Sequence, residues 1–317
     1  MKLSAIPMAR GDGRHPVALR LCIAWRQVCT LGRLAALSVL LLAGGGCASV
    51  PAPQTWESRL QGNGIVLLGE QHDNAEHHRQ RLQVLRRALA AGWRPAIAME
   101  QLDRERQADI DRARADKPGD AQHVIDAATQ VTAGPGVRKS NWDWRYYRPF
   151  IALALQYDLP LIGANLSTAD TSRIVREGNA AIFDPGTMRR LRLDQAVPPA
   201  VQAAQEREIE TGHCNALPAK LLPAMARGQM ARDAVMADSV ARHASHGVVL
   251  LAGNGHVRKD LGVPRWLEPT LRARTLAVGF LEPGHVVGDG VFDAVVTTAA
   301  FPREDPCIAF VRNRKPG

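Results

Sequence analysis

The sequence predicts an α/β fold, built on a predominantly parallel sheet that is flanked by helices. Short apolar runs recur along the chain, and several end at a carboxylate, amide or imidazole side chain. Segments with helical spacing separate these runs, and this alternation favours a parallel sheet with right-handed crossovers. A helical pattern over residues 168–245 interrupts the alternation. That stretch is too long for an ordinary connection, so it predicts a helical insertion between the third and fourth strands.

The amino terminus, residues 1–46, has the pattern of a secretory signal peptide. Scattered basic residues precede an apolar run at 34–43, and three glycines then lead into Cys47. A cysteine in this position resembles a bacterial lipobox, although Gly44 stands where leucine is usual. We therefore expect an exported lipoprotein anchored to the membrane at Cys47; a plain secreted form and an uncleaved anchor are the alternatives. Ala48 suggests sorting to the outer membrane, facing the periplasm.

The net charge does not indicate a nucleic-acid partner. Residues 1–46 carry six basic residues and one acidic residue, so the net charge falls from +9 for the whole chain to +4 without them. No cluster of lysine and arginine with interleaved aromatic residues follows in the sequence, and we expect no nucleic acid to bind. After a tether at 47–63, residues 64–317 suit a single α/β domain.

Two cysteines are left when the signal peptide and the lipid candidate are set aside, namely Cys214 and Cys307. An even pair in an oxidising compartment favours a structural disulfide. The alternative is a reactive or metal-binding thiol.

The first half of the domain alternates strand and helix as the fold class requires. A strand is predicted at 65–68 and a helix at 75–91, on which His77 and His78 are expected to be solvated. A second strand follows at 95–100. The next elements are an exposed helix, a short helix, a glycine–proline break, an aromatic-rich segment and an apolar helix, at 104–114, 120–131, 134–136, 141–149 and 150–156.

The second half repeats the opening pattern after the insertion. The third strand, 159–165, ends at Asn165, and the run at 247–251 is a near copy of the first strand because it leads through Gly253 to His256. Three more strands are predicted at 275–281, 292–297 and 308–311.

Ionisable residues follow the strands at the edge where α/β sheets bind ligands. Glu70 and His72 follow the first strand, Glu100 ends the second, and His256 follows the fourth. Such residues bind divalent metal ions, or activate water with one residue as general base and another orienting it. We therefore predict these four residues as catalytic residues or as ligands of a divalent metal ion. A helix cap by Glu70 and a buried polar network are the structural alternatives.

Five motifs together resemble the ChaN-like family of haem-binding uptake lipoproteins: GEQHDN at 69–74, MEQ at 99–101, GANL at 163–166, GHC at 212–214 and LAGNGHVR at 251–258. The resemblance extends from about residue 65 to about residue 310. It implies an α/β fold shared with erythromycin esterases and, more distantly, with TraB/Tiki-type metalloproteases. It also implies a periplasm-facing lipoprotein that acts in haem iron acquisition.

The haem that this resemblance implies directs attention to the aromatic segment. Haem iron is held by His, Tyr, Met or Cys, and Tyr146 and Tyr147 are two of only three tyrosines. Aromatic and arginine side chains there can stack on a porphyrin and pair its propionates. The other expected haem-binding residues are His72, His213, His256 and Arg258. The alternative is a hydrophobic surface that closes a homodimer or covers the site.

The strand-end residues themselves resemble the hydrolases of the superfamily, in which a Glu and a His after the first strand activate water, directly or through a metal. In this sequence one residue separates Glu70 from His72, and that spacing differs from the esterase type. Two functions are therefore expected. The first is a haem-binding lipoprotein of iron uptake that self-associates as a homodimer. The second is a metal-dependent or Glu/His-dependent hydrolase of an ester or amide.

Overall fold

The computed structural model describes residues 55–129, 142–305 and 307–308. The predicted signal peptide, Cys47, the first part of the tether (residues 47–54) and the predicted break at 134–136 lie outside these residues. Among the helices of the described part, none is long and apolar enough to cross a membrane.

Six parallel strands form one sheet. They are β1 Ile65–Leu68, β2 Ala96–Asp103, β3 Leu161–Asn165, β4 Val248–Leu251, β5 Thr275–Leu281 and β6 Ala294–Thr297. Their spatial order is β3-β2-β4-β1-β5-β6, and every neighbouring pair is parallel. The predicted α/β class with a predominantly parallel sheet is confirmed.

Strands β1 and β4 lie side by side in the middle of the sheet. Ile65 pairs with Val248 and Leu68 with Leu251, and every residue of both strands is buried. Leucine and β-branched residues on both faces suit strands that are covered by helices on both sides. Because the two strands end level with each other, the segments that follow them leave the sheet as neighbours.

Helices cover both faces of the sheet. They are α1 Ala75–Ala90, α2 Gln107–Asp116, α3 Ala121–Thr129, α4 Trp144–Gln156, α5 Thr168–Glu177, α6 Pro185–Arg190, α7 Pro199–Gly212, α8 Leu222–Ala241, α9 Asn254–Val257 and α10 Pro269–Arg272. Short 3-10 helices span Trp56–Gly62, Arg104–Arg106, Asn179–Ala181, Ala219–Leu221 and Val263–Trp266. Helices α5 to α8 fill the chain between β3 and β4, which confirms the predicted insertion.

Helix α1 begins directly after the site segment that follows β1. The side chain of Asn74 caps it by accepting hydrogen bonds from the backbone N–H of Glu76 at 2.9 Å and of His77 at 3.1 Å. The helix ends before Gly92, whose φ of +98° is a left-handed conformation that glycine adopts without strain. This cap holds residues 69–74 close to the end of the sheet.

The core lies on the two faces of the sheet. Val66 and Leu68 point to one face, where helices α1, α3 and α4 pack. Ile65 and Leu67 point to the other face, where Met236 of α8 packs. Successive side chains of a strand point to opposite faces, so each apolar run contributes residues to both cores.

Two elements differ from the sequence prediction. Strand β2 continues three residues past Glu100, to Asp103, and its register against β3 shifts between Met99 and Asp103. The prediction of a strand at 308–311 is wrong at its first residue, because Ile308 lies in a helical turn. The rest of that range is outside the described residues.

Candidate functional site

Two polar clusters lie at the carboxyl edge of the sheet. We call them the Glu70 cluster, made of Glu70, His72, Arg81 and Tyr147, and the Glu100 cluster, made of Glu100, Arg232, Asp233 and His256. Strand β4 lies between β1, which is followed by Glu70, and β2, which contains Glu100. The loop after β4 therefore separates the clusters.

Glu70 is the buried centre of the first cluster, with only 2% of its surface exposed. Its Oε1 accepts a hydrogen bond from the hydroxyl of Tyr147 at 2.6 Å and lies 2.7 Å from Nδ1 of His72. Its Oε2 forms an ion pair with Arg81. Polar partners therefore contact both oxygens, and the predicted helix cap by Glu70 is replaced by the Asn74 cap.

Arg81 is fully buried on α1 and compensates the charge of Glu70. Its guanidinium also donates to the carbonyl of Leu68 at 3.1 Å and to Nδ1 of His78 at 3.0 Å. Burial lowers the pKa of Arg81 to about 10, so the side chain keeps its charge at neutral pH. Arg81 was not predicted from the sequence as a site residue. Its position on the apolar face of α1, four residues before Leu85, is the signal that could have identified it as a buried charge.

His72 is the exposed member of this cluster, since 46% of its side chain is accessible to solvent. The carboxylate of Glu70 next to Nδ1 selects the tautomer with hydrogen on that nitrogen, so Nε2 carries the free lone pair. Burial of part of the ring lowers the pKa of His72 and outweighs the opposing effect of Glu100. The geometry is that of an oriented, neutral imidazole.

Space beside the His72 ring depends on Gly253. A Cβ atom at this position would lie 2.9 Å from Cε1 and 3.1 Å from Nε2 of His72. A real Cβ essentially never approaches so closely, so a side chain at 253 would displace the ring. Gly253, which ends the fourth apolar run, therefore leaves room for the ring of His72.

The Glu100 cluster holds a buried imidazole between two carboxylates. His256 places Nδ1 2.6 Å from Asp233 and Nε2 3.3 Å from Glu100. Burial alone lowers the pKa of His256, but the two carboxylates outweigh it and raise the pKa to about 9. His256 is therefore protonated at neutral pH, in contrast to His72.

Glu100 is in turn held by donors from two elements. Arg232 of α8 donates to one oxygen at 2.6 Å, and the backbone N–H of Gly253 donates to the other at 2.8 Å. Burial raises the pKa of Glu100, but His256 and Arg232 together hold it well below the usual value. Burial raises the pKa of Asp233.

Asp233 and Arg232 were not predicted as site residues. Both lie on α8, within the helical insertion. Asp233 is fully buried among apolar neighbours on that helix, and an acid in such a position is the signal that identifies it.

A group of aromatic rings borders His72. The Trp142 ring meets the His72 ring edge-on at 4.8 Å, and Tyr146 stacks on His78 at 4.5 Å with an angle of 3° between the rings. Tyr147 is 1% exposed, and burial raises its pKa. Its hydroxyl donates to Glu70, so this tyrosine is a buried part of the network.

His77 and His78 are not solvated, contrary to the prediction from the sequence. They are 0% and 4% exposed. His77 accepts from the backbone N–H of Gln71 at 3.0 Å, and Nε2 of His78 lies 2.9 Å from the carbonyl of His72. The site loop folds back over the first turn of α1, which buries both rings.

Three predicted haem-binding residues lie outside both clusters, namely Tyr146, which stacks on His78, His213 and Arg258. His213 follows helix α7, and its Nδ1 lies 2.7 Å from the carbonyl of Ile209. Arg258 forms ion pairs at 2.7 Å with both Glu208 and Asp260, and these hydrogen bonds raise its pKa.

The carboxy-terminal segment is fastened next to the site. A disulfide joins Cys214, just after α7, to Cys307. Arg303 forms ion pairs with Asp73 at 2.7 Å and with Glu282, and it holds the pKa of Glu282 down to about 2. This segment therefore contacts the loop that carries His72.

The four residues predicted as ligands of a divalent metal ion are divided between the two clusters. Across the described residues, no group of three or more His, Cys, Asp or Glu side chains is arranged to hold a metal ion. The two glutamates of the predicted ligand set, Glu70 and Glu100, are instead ion-paired with Arg81 and Arg232.

The residues present do fit a haem group in one respect. His72 offers a neutral imidazole at the surface, and imidazole is a common axial ligand of haem iron. Tyr147 does not fit this role as it stands, because its hydroxyl is buried and bound to Glu70.

A parallel α/β sheet with an ionisable carboxyl edge defines a broad class of ligand-binding proteins and enzymes. Within that class, a family model described as haem-binding uptake, Tiki superfamily, ChaN matches residues 56–267. The chain therefore belongs to the ChaN family of haem-binding uptake proteins. A comparison with curated proteins finds no match to the sequence.

Three solved structures are similar to the chain, and the first of them has the same fold. ChaN of Campylobacter jejuni, described as showing cofacial haem binding, is 22% identical with a TM-score of 0.58, over 73% of this chain and 86% of that chain. The type III effector HopBA1 is 12% identical with a TM-score of 0.40, over 77% and 91% of the two chains. A mutant of the erythromycin esterase EreC, in its open conformation, is 15% identical with a TM-score of 0.37, over 80% and 81%. The last two similarities are too low to bear on function.

Proposed function

We propose that the protein binds haem at the carboxyl edge of its sheet and serves iron acquisition as an exported lipoprotein. Membership of a family described as haem-binding uptake supports this function. The structural observation that supports it best is the half-exposed imidazole of His72 beside the ring of Trp142. An imidazole binds haem iron, and aromatic rings supply the apolar contact that a porphyrin needs.

Positive charge near these rings suits the haem propionates. Arg145 and Arg148 are exposed on α4, on the same helix as Tyr146. Arginine pairs carboxylates through two parallel hydrogen bonds. Arg145 already forms an ion pair with Asp143 at 2.5 Å. An added carboxylate would compete with Asp143 for Arg145, so Arg148 is the better candidate to bind it.

A haemin titration of the mature protein tests the proposal. We expect a saturable shift of the Soret band with a defined stoichiometry, and iron in elemental analysis of the loaded sample. Absence of a Soret shift would overturn haem binding. A stoichiometric divalent metal in the haem-free sample would favour the metal-dependent alternative instead.

We also propose that the haem-bound form is a homodimer. Haem groups that lie face to face, as the description of the C. jejuni protein has them, could each be supplied by one of two chains. Light scattering after size-exclusion chromatography should give the monomer mass without haemin, and twice that mass with it. A monomer at saturating haemin would contradict this assembly.

A second candidate function is hydrolysis of an ester or amide, and the Glu70–His72 pair is the observation that favours it. A carboxylate on Nδ1 orients an imidazole so that Nε2 can act as general base. His72 would take a proton from water, while the water oxygen adds to the carbonyl carbon. The bond to the alcohol or amine then breaks as the leaving group takes up that proton.

Hydrolysis is tested on haem-free protein treated with a chelator, against nitrophenyl esters and anilides of short acids. The rate should decrease at acid pH, below the ordinary imidazole pKa of about 6.5, because burial lowers the pKa of His72 and a protonated His72 cannot accept a proton. His72→Gln should abolish the activity, whereas His285→Gln, a change in an exposed turn, should not. Equal rates for His72→Gln and the unmodified protein would exclude this function.

A further inference from the structure

We infer that three arginines around the 3-10 helix Val263–Trp266 form a second binding site, and that its ligand is a doubly charged phosphoryl group. They are Arg192, Arg265 and Arg272, which we call the arginine triad. No residue of the triad belongs to the Glu70 cluster or the Glu100 cluster. The triad site is therefore independent of haem binding and of hydrolysis.

Two members of the triad are held together by direct contacts. Arg265 lies on the 3-10 helix, and Arg272 is the last residue of helix α10, which follows directly. The guanidinium of Arg272 donates to the carbonyl of Arg265 at 2.9 Å and to the carbonyl of Leu267 at 3.0 Å. These two bonds fix one cationic group against the residue that carries the second.

Arg192 joins the other two from the helical insertion. It stands between Leu191 and Leu193, which pack with Val235 of α8 in a small apolar cluster, and Trp266 packs against the same cluster. Burial, and after it the charges of Arg272 and Arg192, lower the pKa of Arg265. The three cationic groups therefore lie close enough to repel one another.

The charge of the triad has no counter-ion in the part of the chain that the structure describes. There, none of the three guanidiniums forms an ion pair with an acidic side chain, and those of Arg192 and Arg265 donate no hydrogen bond to protein. The nearby Arg190, by contrast, pairs with Asp238 at 3.5 Å. Like charges that are held together disfavour the charged state, and a bound anion removes that cost.

The backbone at Arg192 indicates that its side chain has a use beyond folding. The N–H of Arg192 donates to the carbonyl of Arg189 at 3.0 Å, and the N–H of Leu193 donates to that of Met188 at 2.9 Å. This is the Schellman motif that ends α6, and Arg192, with a φ of +60°, takes the left-handed position in it. Glycine is usual there because a side chain makes that conformation unfavourable. We attribute the arginine to ligand binding.

Three guanidiniums suit a phosphoryl group better than a carboxylate. Arginine offers paired N–H donors that match the oxygens of either anion. A carboxylate carries one negative charge on two oxygens, whereas a phosphate monoester carries about two charges on three strong acceptor oxygens at neutral pH. Soluble phosphates and the headgroup of phosphatidic acid both present this group.

Calorimetric titration of the mature protein without haemin tests the site. Inorganic phosphate should bind saturably, and more weakly as salt is added, because the attraction is screened. Acetate should bind more weakly than phosphate. Vesicles of phosphatidylcholine with phosphatidic acid, compared with vesicles of phosphatidylcholine alone, test the lipid source of the same group.

Matched charge changes locate the site. Arg265→Gln should weaken phosphate binding about 10–100-fold, the usual effect of losing a hydrogen bond to a charged group. Arg86→Gln is the control, since Arg86 is exposed on α1, which packs on the other face of the sheet. It should bind phosphate as the unmodified protein does. Haemin binding should be the same in Arg265→Gln and the unmodified protein, so each site can fail without the other.

Arg192→Gly separates ligand binding from folding. Glycine suits the left-handed position, so the ligand-free variant should unfold at a higher temperature than the unmodified protein, while its affinity for phosphate falls. A lower unfolding temperature with unchanged affinity would show that Arg192 has a structural role and would overturn its place in the site.

The remaining outcomes decide the ligand. Binding of inorganic phosphate without vesicle binding supports a soluble ligand, and vesicle binding alone supports a lipid headgroup, if Arg265→Gln weakens either one. No binding of phosphate or vesicles would overturn the site, as would equal affinities for Arg265→Gln and Arg86→Gln. Acetate bound as tightly as phosphate would overturn the phosphoryl assignment.

Discussion

At the scale of single residues, the pairing of buried charges determines which side chains remain available. Arg81 and Glu70 are both fully or almost fully buried, and each is the other's counter-ion. A buried ion pair contributes little net stability, but the loss of one partner leaves an uncompensated charge in the interior. Glu70 can therefore hold His72 in place only while Arg81 is present.

Replacement of Arg81 by methionine should strongly destabilise the fold. The change keeps the apolar stem but leaves Glu70 without its counter-ion, which typically costs about 3–5 kcal/mol. Urea denaturation measures the free energy of unfolding. Arg79→Met is the matched control, since Arg79 lies two residues away on the exposed face of α1 and pairs only with other surface groups. Equal stability of the two variants would contradict the role assigned to Arg81.

Acid pH should destabilise the protein through the buried histidines of α1. Burial lowers the pKa of His78 to about 4 from its ordinary value of 6.5, so the unfolded chain binds the proton more readily than the folded chain. The free energy of unfolding should therefore decrease as the pH falls from about 6.5 to about 4. At roughly 1.4 kcal/mol per pKa unit, His78 alone accounts for about 3 kcal/mol.

The pH dependence of thermal unfolding checks this expectation. His78→Gln should flatten the profile over that pH range, because glutamine does not titrate. His285→Gln, in the exposed turn after β5, should leave the profile unchanged. An unaltered slope in His78→Gln would show that the acid sensitivity has another source.

At the scale of elements, the carboxy-terminal segment closes the fold around the site. The disulfide spans 93 residues of sequence and joins the insertion to a segment that follows the last strand. Arg303, four residues before Cys307, pairs with Asp73, which directly follows His72. The insertion, the last strand and the site loop are in this way connected through covalent and ionic contacts.

Removal of the disulfide should lower stability without abolishing the fold. Native disulfides that close long loops typically contribute about 2–5 kcal/mol, largely by restricting the unfolded chain. The Cys214→Ser/Cys307→Ser double variant should therefore unfold at a lower denaturant concentration. A reductant should shift the midpoint of the unmodified protein to the same value and leave the double variant unaffected. No shift in either case would mean that the bond contributes no stability.

At the scale of the whole molecule, the proposed export would determine where the site operates. Residues 1–46 and Cys47 lie outside the described residues, so the proposal of a lipoprotein rests on the sequence pattern. A lipid anchor at Cys47 would tether the domain through the segment at 47–63.

Replacement of Cys47 by alanine should release the protein from the membrane. Lipid attachment needs the thiol of this cysteine, and more than one acyl chain on that residue would anchor the domain stably. In a cell that exports the chain, the unmodified protein should fractionate with the outer membrane and label with a radioactive fatty acid, whereas Cys47→Ala should do neither. Membrane fractionation of Cys47→Ala equal to that of the unmodified protein would favour an uncleaved anchor.

The sequence by itself determined the α/β class, the order of the strands along the chain and the helical insertion. Hydrophobic periodicity carries this information because each strand and helix must bury one or two faces. It also placed Glu70, His72 and His256 after strands and Glu100 near the end of another, and parallel strands deliver such residues to one edge of the sheet.

Only the tertiary structure decided which of these side chains are committed to partners and which are accessible. Arg81 contacts Glu70 across 11 positions of sequence, and Asp233 contacts His256 across 23 positions. No local sequence pattern encodes those contacts. Burial of His77 and His78 likewise follows from the way the site loop folds over α1. Charge compensation and burial depend on what packs around a residue in three dimensions, and this is why the structure rather than the sequence distinguishes His72 from the other histidines.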